Sequence, residues 1–269
     1  VVATAALRQA RDAADFIKTA KAQSGLDIRV LSGEQEAQTS AYGVIFGDQR
    51  SSGIMADLGG ASLELIHIHQ GKVGAGKTYP VGPFAIMGQS LKVHTDKESI
   101  AASLKKHLSD VKASFTAKPF AEQSGRTLYL VGGAWRNLVM IDAKRKRYPL
   151  PILHNFSLSP EAASELANWA CDDAGADLLN WQGINSRRAE TLPYCGLVLQ
   201  ILLDVLKPKQ VVISPAGLRE GVVYQAMRDG ETQQLCASTP LYDACQHLAM
   251  KNPQGLTFAK PLNAWLSSA

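Results

Sequence analysis

An acidic residue followed by a turn of small residues is the sharpest chemical signal in this sequence. Asp57 ends an apolar strand pattern and precedes Gly59, Gly60, Ala61 and Ser62. The two glycines allow a ligand to approach the backbone closely, and successive N–H groups with the Ser62 hydroxyl can cradle phosphate oxygens. The Asp57 carboxylate suits a hard cation such as Mg²⁺, held directly or through water. The alternative interpretation is an ordinary Gly-Gly hairpin with a turn aspartate.

A second small-residue turn, Gly132-Gly133, follows a strand pattern and opens a helical pattern. The N-terminus of a helix can receive an anion. A phosphate chain held in a cleft needs donors from both walls, so the two turns strengthen each other as phosphate-binding candidates.

Two carboxylates, Glu34 and Glu36, follow the turn Ser32-Gly33 at the start of a helical pattern. A carboxylate placed there could orient or deprotonate a water molecule. The alternative is a pair of N-terminal glutamates favoured by the helix dipole. Spacing alone does not choose between the two residues.

The elements that must position these residues follow from apolar periodicity. Early strands in hairpins and later strands alternating with helices predict a mixed-sheet α/β domain. Strands are predicted at 28–31, 54–58, 62–68, 72–80, 127–131 and 210–214. Helices are predicted at 6–22, 34–43, 100–115, 134–143, 160–172, 187–205 and 218–227.

Composition limits the class of protein. The chain has 269 residues, of which 46% are hydrophobic and 19% charged, which is typical of a folded soluble protein. A net charge of +4 is too weak to indicate a nucleic-acid partner. With no apolar run long enough for a membrane span and no basic-then-apolar leader, we expect a cytoplasmic protein. We expect reduced, structural thiols at Cys171, Cys195, Cys236 and Cys245.

A basic run and a pair of histidines each allow two interpretations. The basic run Lys144–Arg147 could capture a polyanionic substrate, although a solvated loop is the favoured interpretation. His67 and His69 share a face of a predicted strand, and we interpret them as strand histidines and not as a zinc site, because no third ligand is evident.

Several motifs together resemble the exopolyphosphatase/guanosine pentaphosphatase family over roughly residues 1–228. The most specific are the Ser-Gly-x-x-Glu-Ala and Gly-Leu-Arg-Glu-Gly elements. In chain order, the matching segments are Thr4 to Arg8, Leu31 to Ala37, Asp57 to Glu64, Gly132-Gly133 and Gly217 to Gly221.

The resemblance implies an actin-like (ribonuclease-H-like) ATPase fold of the α/β class, whose two lobes close on a phosphate chain with Mg²⁺ and a glutamate that activates water. It assigns the catalytic role to Glu36 and metal binding to Asp57 and Glu64. It assigns phosphate binding to the following residues: Arg8, Gly59, Gly60, Ala61, Ser62, Gly132 and Gly133.

The sequence departs from the family pattern at two places. Ala61 stands where the family usually has a third glycine, a change the turn tolerates if its φ is negative. The first phosphate loop of the family, Asp-x-Gly-Ser, would lie upstream of Val1, so we expect the first lobe to be incomplete at its N-terminus. We predict the end of that lobe at 1–43, the second lobe at 44–228, and a linker with short helices leading toward a C-terminal helical region at 229–269.

The expected activity is therefore a phosphoanhydride hydrolase that removes terminal phosphate from inorganic polyphosphate or guanosine pentaphosphate. The sequence does not choose between these two substrates, and the resemblance makes a homodimer reasonable. An actin-like kinase or ATPase, or a non-catalytic binder of polyphosphate or alarmone, are the alternatives.

Overall fold

The computed structural model of this chain describes residues 1–85, 126–149, 153, 156–172 and 191–229. Its strands are β1 (Val2–Ala3), β2 (Arg29–Val30), β3 (Gly53–Leu58), β4 (Leu63–His69), β5 (Lys72–Tyr79), β6 (Thr127–Val131), β7 (Phe156–Leu158) and β8 (Gln210–Ser214). Its helices are α1 (Ala5–Gln9), α2 (Ala13–Ser24), α3 (Gly33–Gly47), α4 (Gly133–Arg145), α5 (Pro160–Asp172), α6 (Leu192–Leu206) and α7 (Leu218–Asp229).

Six of the strands form one mixed sheet in the order β5-β4-β3-β6-β8-β7. The β3–β4 and β4–β5 pairs are antiparallel hairpins, whereas β3, β6 and β8 run parallel to one another. Asp57 pairs with Val131, and Val131 pairs with Ser214, so the carboxyl ends of the three parallel strands meet at one edge. The predicted mixed-sheet α/β class is confirmed.

Helices cover both faces of this sheet. One face packs on α3 and α7, and the other packs on α4, α5 and α6. All five residues of β6 are buried, as expected for a strand that is covered on both sides. The loops at the carboxyl edge are therefore held by a sheet that is packed between two layers of helices.

The packing of α7 against α3 depends on glycine. A methyl group on Gly221 would overlap the carbonyl oxygen of Thr39, and one on Gly43 would overlap the carbonyl oxygen of Gly217. The two backbones therefore touch directly. This contact fixes the position of α3 relative to the loop between β8 and α7.

The first 31 residues differ from the sequence prediction. The expected single helix at 6–22 is two helices, because Ala10 has an extended backbone that ends α1, and α2 begins only at Ala13. Asp12 occupies the N-cap position of α2, where aspartate is preferred over a helix interior. A two-stranded parallel sheet, β1 with β2, joins this region to the start of α3.

Other differences concern the ends of elements. The helix after Ser32 continues to Gly47, so the domain limit predicted between 43 and 44 lies inside a continuous helix. The short strands β1 and β7 were not predicted, because two or three residues carry no readable alternation. The helix predicted at 100–115 lies outside the described residues, as do 187–190 of the predicted helix at 187–205, which begins as α6 at Leu192.

We predict that Gly221→Ala lowers the free energy of unfolding by roughly 1–3 kcal/mol, because the added methyl group must push α3 and α7 apart. Gly133→Ala is the matched control, since nothing lies within 4 Å of the position its methyl group would occupy. Urea denaturation of both variants beside the wild type measures the difference. Equal midpoints for the two variants would contradict the glycine-dependent contact.

Candidate active site

Asp57 and Glu64 are direct cross-strand partners at the tip of the β3–β4 hairpin. Partners in an antiparallel pair project from the same face of the sheet, so the two carboxyl groups are neighbours. Glu64 is only 1% exposed, and its Oε1 atom has no hydrogen-bond partner within the described ranges. Two of the residues predicted from the sequence are thus brought together below the turn.

Burial controls the protonation of this pair. It raises the pKa of Glu64 to about 8, and the nearby carboxylates of Asp57 and Glu36 raise it as well, while the Ser62 hydroxyl and Arg8 act in the opposite direction. Burial also raises the pKa of Asp57, to about 6. Both carboxyl groups are held ionised at neutral pH only if a bound cation or additional hydrogen-bond donors stabilise their charged forms.

The Asp57 carboxyl group has three electrostatic neighbours besides Glu64. The Ser40 hydroxyl opposes the rise in the pKa of Asp57, the Glu36 carboxylate adds to it, and the Arg136 guanidinium opposes it. Ser40 and Arg136 were not singled out from the sequence. Ser40 lies four residues after Glu36 on α3, and Arg136 lies in the first turns of α4, so helical spacing from the recognised motifs was the available signal.

Glu36 lies in the first turn of α3, which begins with a capping box. The Ser32 hydroxyl accepts a hydrogen bond from the Gln35 backbone N–H at 3.1 Å, and the Gln35 side chain accepts one from the Ser32 N–H at 3.0 Å. Arg8 Nη1 lies 3.2 Å from Glu36 Oε2, and the same nitrogen donates to the Leu31 carbonyl. The arginine therefore fixes the Glu36 carboxylate toward the buried acidic pair.

Glu34 is placed differently from Glu36. It is exposed, and its carboxylate accepts a hydrogen bond from Gln38 on the same helix at 3.4 Å. The structure thus separates the two glutamates that spacing alone left equivalent, and it brings only Glu36 into electrostatic contact with Asp57 and Glu64.

The turn from Gly59 to Ser62 is closed by a hydrogen bond from the Gly59 N–H to the Ser62 carbonyl at 2.9 Å. The Gly60 and Ala61 carbonyls accept hydrogen bonds from the N–H groups of Phe84 and Gly82, at 2.8 and 3.1 Å. Ala61 is absent from the positive-φ residues of the described part of the chain. The alanine in place of the family's third glycine is therefore compatible with the turn, as expected.

The second predicted turn packs onto the end of β3. Gly132 has φ +116°, which L side chains rarely adopt. A methyl group there would lie 2.7 Å from the Leu58 carbonyl oxygen and 3.3 Å from Asp57 Oδ1. Gly133 then begins α4. The two small-residue turns are therefore adjacent, at the carboxyl edge of neighbouring parallel strands.

The basic run Lys144–Arg147 lies at the far end of α4 from Gly132. Arg145 and Lys146 form ion pairs with Asp142 at 2.7 and 3.1 Å and with Glu165 at 3.6 and 3.4 Å. Since α4 has 13 residues, the run begins roughly 15 Å from the turn. The structure does not bring this run to the site.

The two histidines and the described cysteines also lie elsewhere. The His67 and His69 rings stack with centroids 6.2 Å apart on β4. Cys195 is a buried free thiol whose pKa is raised by burial to about 12, and the Cys171 thiol donates a hydrogen bond to the Pro193 carbonyl at 3.7 Å. Cys236 and Cys245 lie outside the described residues.

No helix in the described ranges combines the length and apolarity needed to cross a membrane.

The described residues contain no group of three or more His, Cys, Asp or Glu side chains placed to hold a metal ion. Mg²⁺ does not require such a group, because it usually keeps several waters and binds one or two carboxylates together with substrate phosphates. Asp57 and Glu64 supply two neighbouring carboxyl groups, one with a buried oxygen lacking a hydrogen-bond partner. The residues present thus fit a hard dication.

The sheet order and the turns at its carboxyl edge define an actin-like fold in which small-residue loops meet buried carboxylates. The profile of the Ppx/GppA phosphatase family matches residues 1–229. The chain belongs to this family.

Solved structures of similar proteins share the fold. An exopolyphosphatase from Cytophaga hutchinsonii superposes with a TM-score of 0.72 at 17% identity, covering 86% of this chain and 75% of that one. The PPX-GPPA enzyme of Aquifex aeolicus gives a TM-score of 0.68 at 20% identity, covering 83% of this chain and 74% of that one.

Among curated proteins, the guanosine-5'-triphosphate,3'-diphosphate pyrophosphatase of Aeromonas hydrophila is 25% identical over 230 residues. The match covers 83% of this chain but 44% of that protein. A second such pyrophosphatase, from Aeromonas salmonicida, is 24% identical over 230 residues. The chain spans less than half the length of these curated relatives.

We predict that, without divalent cations, the wild-type protein loses stability as pH rises from about 4.5 to about 8, because Glu64 must ionise in a buried position. Its pKa is raised on folding, so the stabilisation is present below the ordinary value of 4.5 and is lost as pH approaches 8. Glu64→Gln removes this ionisation and should flatten the profile, leaving the contribution of Asp57.

Urea midpoints across this pH range, measured in EDTA, provide the comparison. Glu34→Gln is the control, since this exposed carboxylate lies outside the buried pair. A Glu64→Gln profile as steep as that of the wild type would show that Glu64 does not titrate in the folded protein at these pH values.

Proposed function

We propose that this chain forms the catalytic region of a phosphoanhydride hydrolase that releases terminal phosphate from inorganic polyphosphate or guanosine pentaphosphate by attack of water. The observation that supports this most directly is the convergence of Glu36 with half-buried Asp57 and buried Glu64 beside two phosphate-type turns. Membership of the Ppx/GppA phosphatase family supports the same reaction class.

Glu36 is proposed as the residue that positions or deprotonates the attacking water. Its side chain is 14% exposed, so it can reach solvent while remaining fixed by Arg8. Only one nitrogen of Arg8 is used in the hydrogen bonds to Glu36 and Leu31, and a guanidinium carries five N–H donors. We propose that Arg8 also contacts a phosphate oxygen, as the resemblance implies.

The backbone at Gly59–Ser62 and Gly132–Gly133 is proposed to hold the phosphate chain. Asp57 and Glu64 would hold Mg²⁺, and the bound cation would supply charge neutralisation for the phosphate oxygens. Their raised pKa values indicate that these carboxyl groups resist ionisation when no cation is near. Binding of the cation and loss of their protons would thus be coupled.

The two candidate substrates are taken from the names of similar proteins. One relative of this chain is named an exopolyphosphatase and another a guanosine-5'-triphosphate,3'-diphosphate pyrophosphatase. We propose both compounds as candidate substrates and a cytoplasmic location for the reaction. The homodimer and the lobe limits at 1–43, 44–228 and 229–269 remain predictions.

We predict that Glu36→Gln lowers turnover by roughly 10²–10⁴-fold, the usual contribution of a general base, with KM nearly unchanged. Glu34→Gln is the matched control, because it removes an equal charge from the same helix start but outside the acidic cluster. The assay is phosphate release from each substrate with Mg²⁺, by a protein that includes the upstream phosphate loop implied by the resemblance.

Near-normal turnover in Glu36→Gln would exclude its proposed role, and a comparable loss in Glu34→Gln would transfer that role to Glu34. Phosphate transfer from ATP to an added acceptor, without phosphate release from the two proposed substrates, would favour the kinase alternative. Binding of polyphosphate without turnover would favour the non-catalytic binder.

We further predict that Asp57→Asn raises the Mg²⁺ concentration needed for half-maximal activity by about tenfold or more. An amide keeps the shape but removes the charge that a hard dication prefers, and even outer partners of metal ligands contribute roughly 10–100-fold to affinity. The exposed Asp15→Asn on α2 should leave the Mg²⁺ requirement unchanged. An unaltered Mg²⁺ requirement in Asp57→Asn would show that the metal is held elsewhere.

A further inference from the structure

A cavity of about 240 Å³ lies between the β6–α4 turn and the β8–α7 turn. Asp57 and Gly132 line it on one side, and Pro215 and Arg219 line it on the other. Arg136 also lines it. The cavity therefore opens beside the proposed catalytic carboxylates, but it is formed by a loop, 215–217, that the proposed mechanism does not use.

Arg136 is held in place by the loop opposite to it. Its Nη1 atom donates a hydrogen bond to the Pro215 carbonyl at 3.1 Å, which spans the two turns. A guanidinium has five N–H donors in a fixed planar arrangement, so this bond leaves other donors available to a planar or tetrahedral oxyanion. Arg136 is half-buried, where a charge-assisted hydrogen bond is less screened by solvent than on the surface.

Two acidic residues and two arginines line the cavity, and Arg136 also attracts the Asp57 carboxylate. Of the two acidic residues there, Glu220 accepts a hydrogen bond from the Gly217 N–H at 2.8 Å and so fixes the start of α7. Asp57 is the cross-strand partner of Glu64 and belongs to the proposed metal pair. Arg136 and Arg219 supply two positive charges to the same cavity.

A second cavity of about 250 Å³ provides a contrast within the same molecule. It lies beside Gly59 and Gly133 and is lined mainly by apolar groups such as Leu58, Phe84 and Leu192. No charged side chain is among the described residues that line it. Of the two cavities, the arginine-lined one is therefore the better candidate for a further phosphate group, next to the backbone that is proposed to hold the chain.

We propose that the cavity between the two turns is a second phosphate subsite, in which Arg136, assisted by Arg219, binds a phosphate group of the substrate adjacent to the one that is released. This rests on the proposed function for the identity of the substrate. The chemistry required of the ligand is a chain of at least two phosphate groups, which both candidate substrates contain. Arg8 and Arg136 would then contact the phosphate chain from opposite sides of Asp57.

The test is the binding of a phosphate chain that cannot be hydrolysed, the imido analogue of tripolyphosphate, measured by calorimetry with Mg²⁺ present. We expect Arg136→Gln to weaken binding by about 10- to 100-fold, the usual effect of losing charge-assisted hydrogen bonds. Arg136→Lys should lose less, and Arg219→Gln, at an exposed position, should lose about 3- to 10-fold. Arg50→Gln is the control, because this exposed arginine precedes β3 at the opposite end of the sheet.

A structural role for Arg136 would give a different pattern. If Arg136 binds phosphate, the affinity of Arg136→Gln falls less steeply with added salt than that of the wild type, because one attractive charge is gone. An equal salt dependence, or an affinity within twofold of the Arg50→Gln control, would overturn the proposal. If circular dichroism shows Arg136→Gln to be unfolded, Arg219→Gln decides, and unchanged affinity in that folded variant overturns the proposal.

The outcome also separates this subsite from the proposed hydrolase. A large loss of turnover in Glu36→Gln together with unchanged analogue binding in Arg136→Gln would reject the subsite and leave the hydrolase standing. Weakened analogue binding in Arg136→Gln, with normal turnover in Glu36→Gln, would support the phosphate subsite and reject the catalytic role of Glu36.

Discussion

The direct contact between the backbones of α3 and α7 is the constraint on which the site depends. Gly43 and Gly221 have no side chain, so each helix lies against a carbonyl oxygen of the other segment. The contact fixes the helix that carries Glu36 relative to the loop after β8, while the cores on both faces of the sheet fix the strand that carries Asp57. A displacement of α3 would move Glu36 away from Asp57 and Glu64.

The arrangement of carboxyl groups in the site is electrostatically unfavourable, and the packed sheet and helices hold it in place. Three carboxyl groups lie near one another, and burial of two of them disfavours their charged forms. Arg8, which acts on Glu64, and Arg136, which acts on Asp57, offset part of this repulsion, and each donates a hydrogen bond to a backbone carbonyl. Under the proposed function, a bound cation would offset the carboxylate charge that otherwise repels a polyanion.

Local sequence rules account for the parts of the site that are contiguous along the chain. The Ser32 capping box was encoded by residue types three positions apart, and the β3–β4 hairpin by apolar strand patterns around Gly59-Gly60. The burial of both faces of β4 was less predictable, because alternation reports one covered face, whereas α3 covers the other.

The sequence by itself determined the fold class and the two small-residue turns, and its resemblance to a family led to the prediction of a catalytic role for Glu36 and not for Glu34. Only the tertiary structure decided that Ser40 and Arg136 join the site and that the Lys144–Arg147 run does not. The physical reason is that a charge pattern does not show which end of a helix lies near the site. Gly132 begins α4 at the carboxyl edge of the sheet, and the basic run ends that same helix far from the edge, where Asp142 and Glu165 neutralise two of its charges.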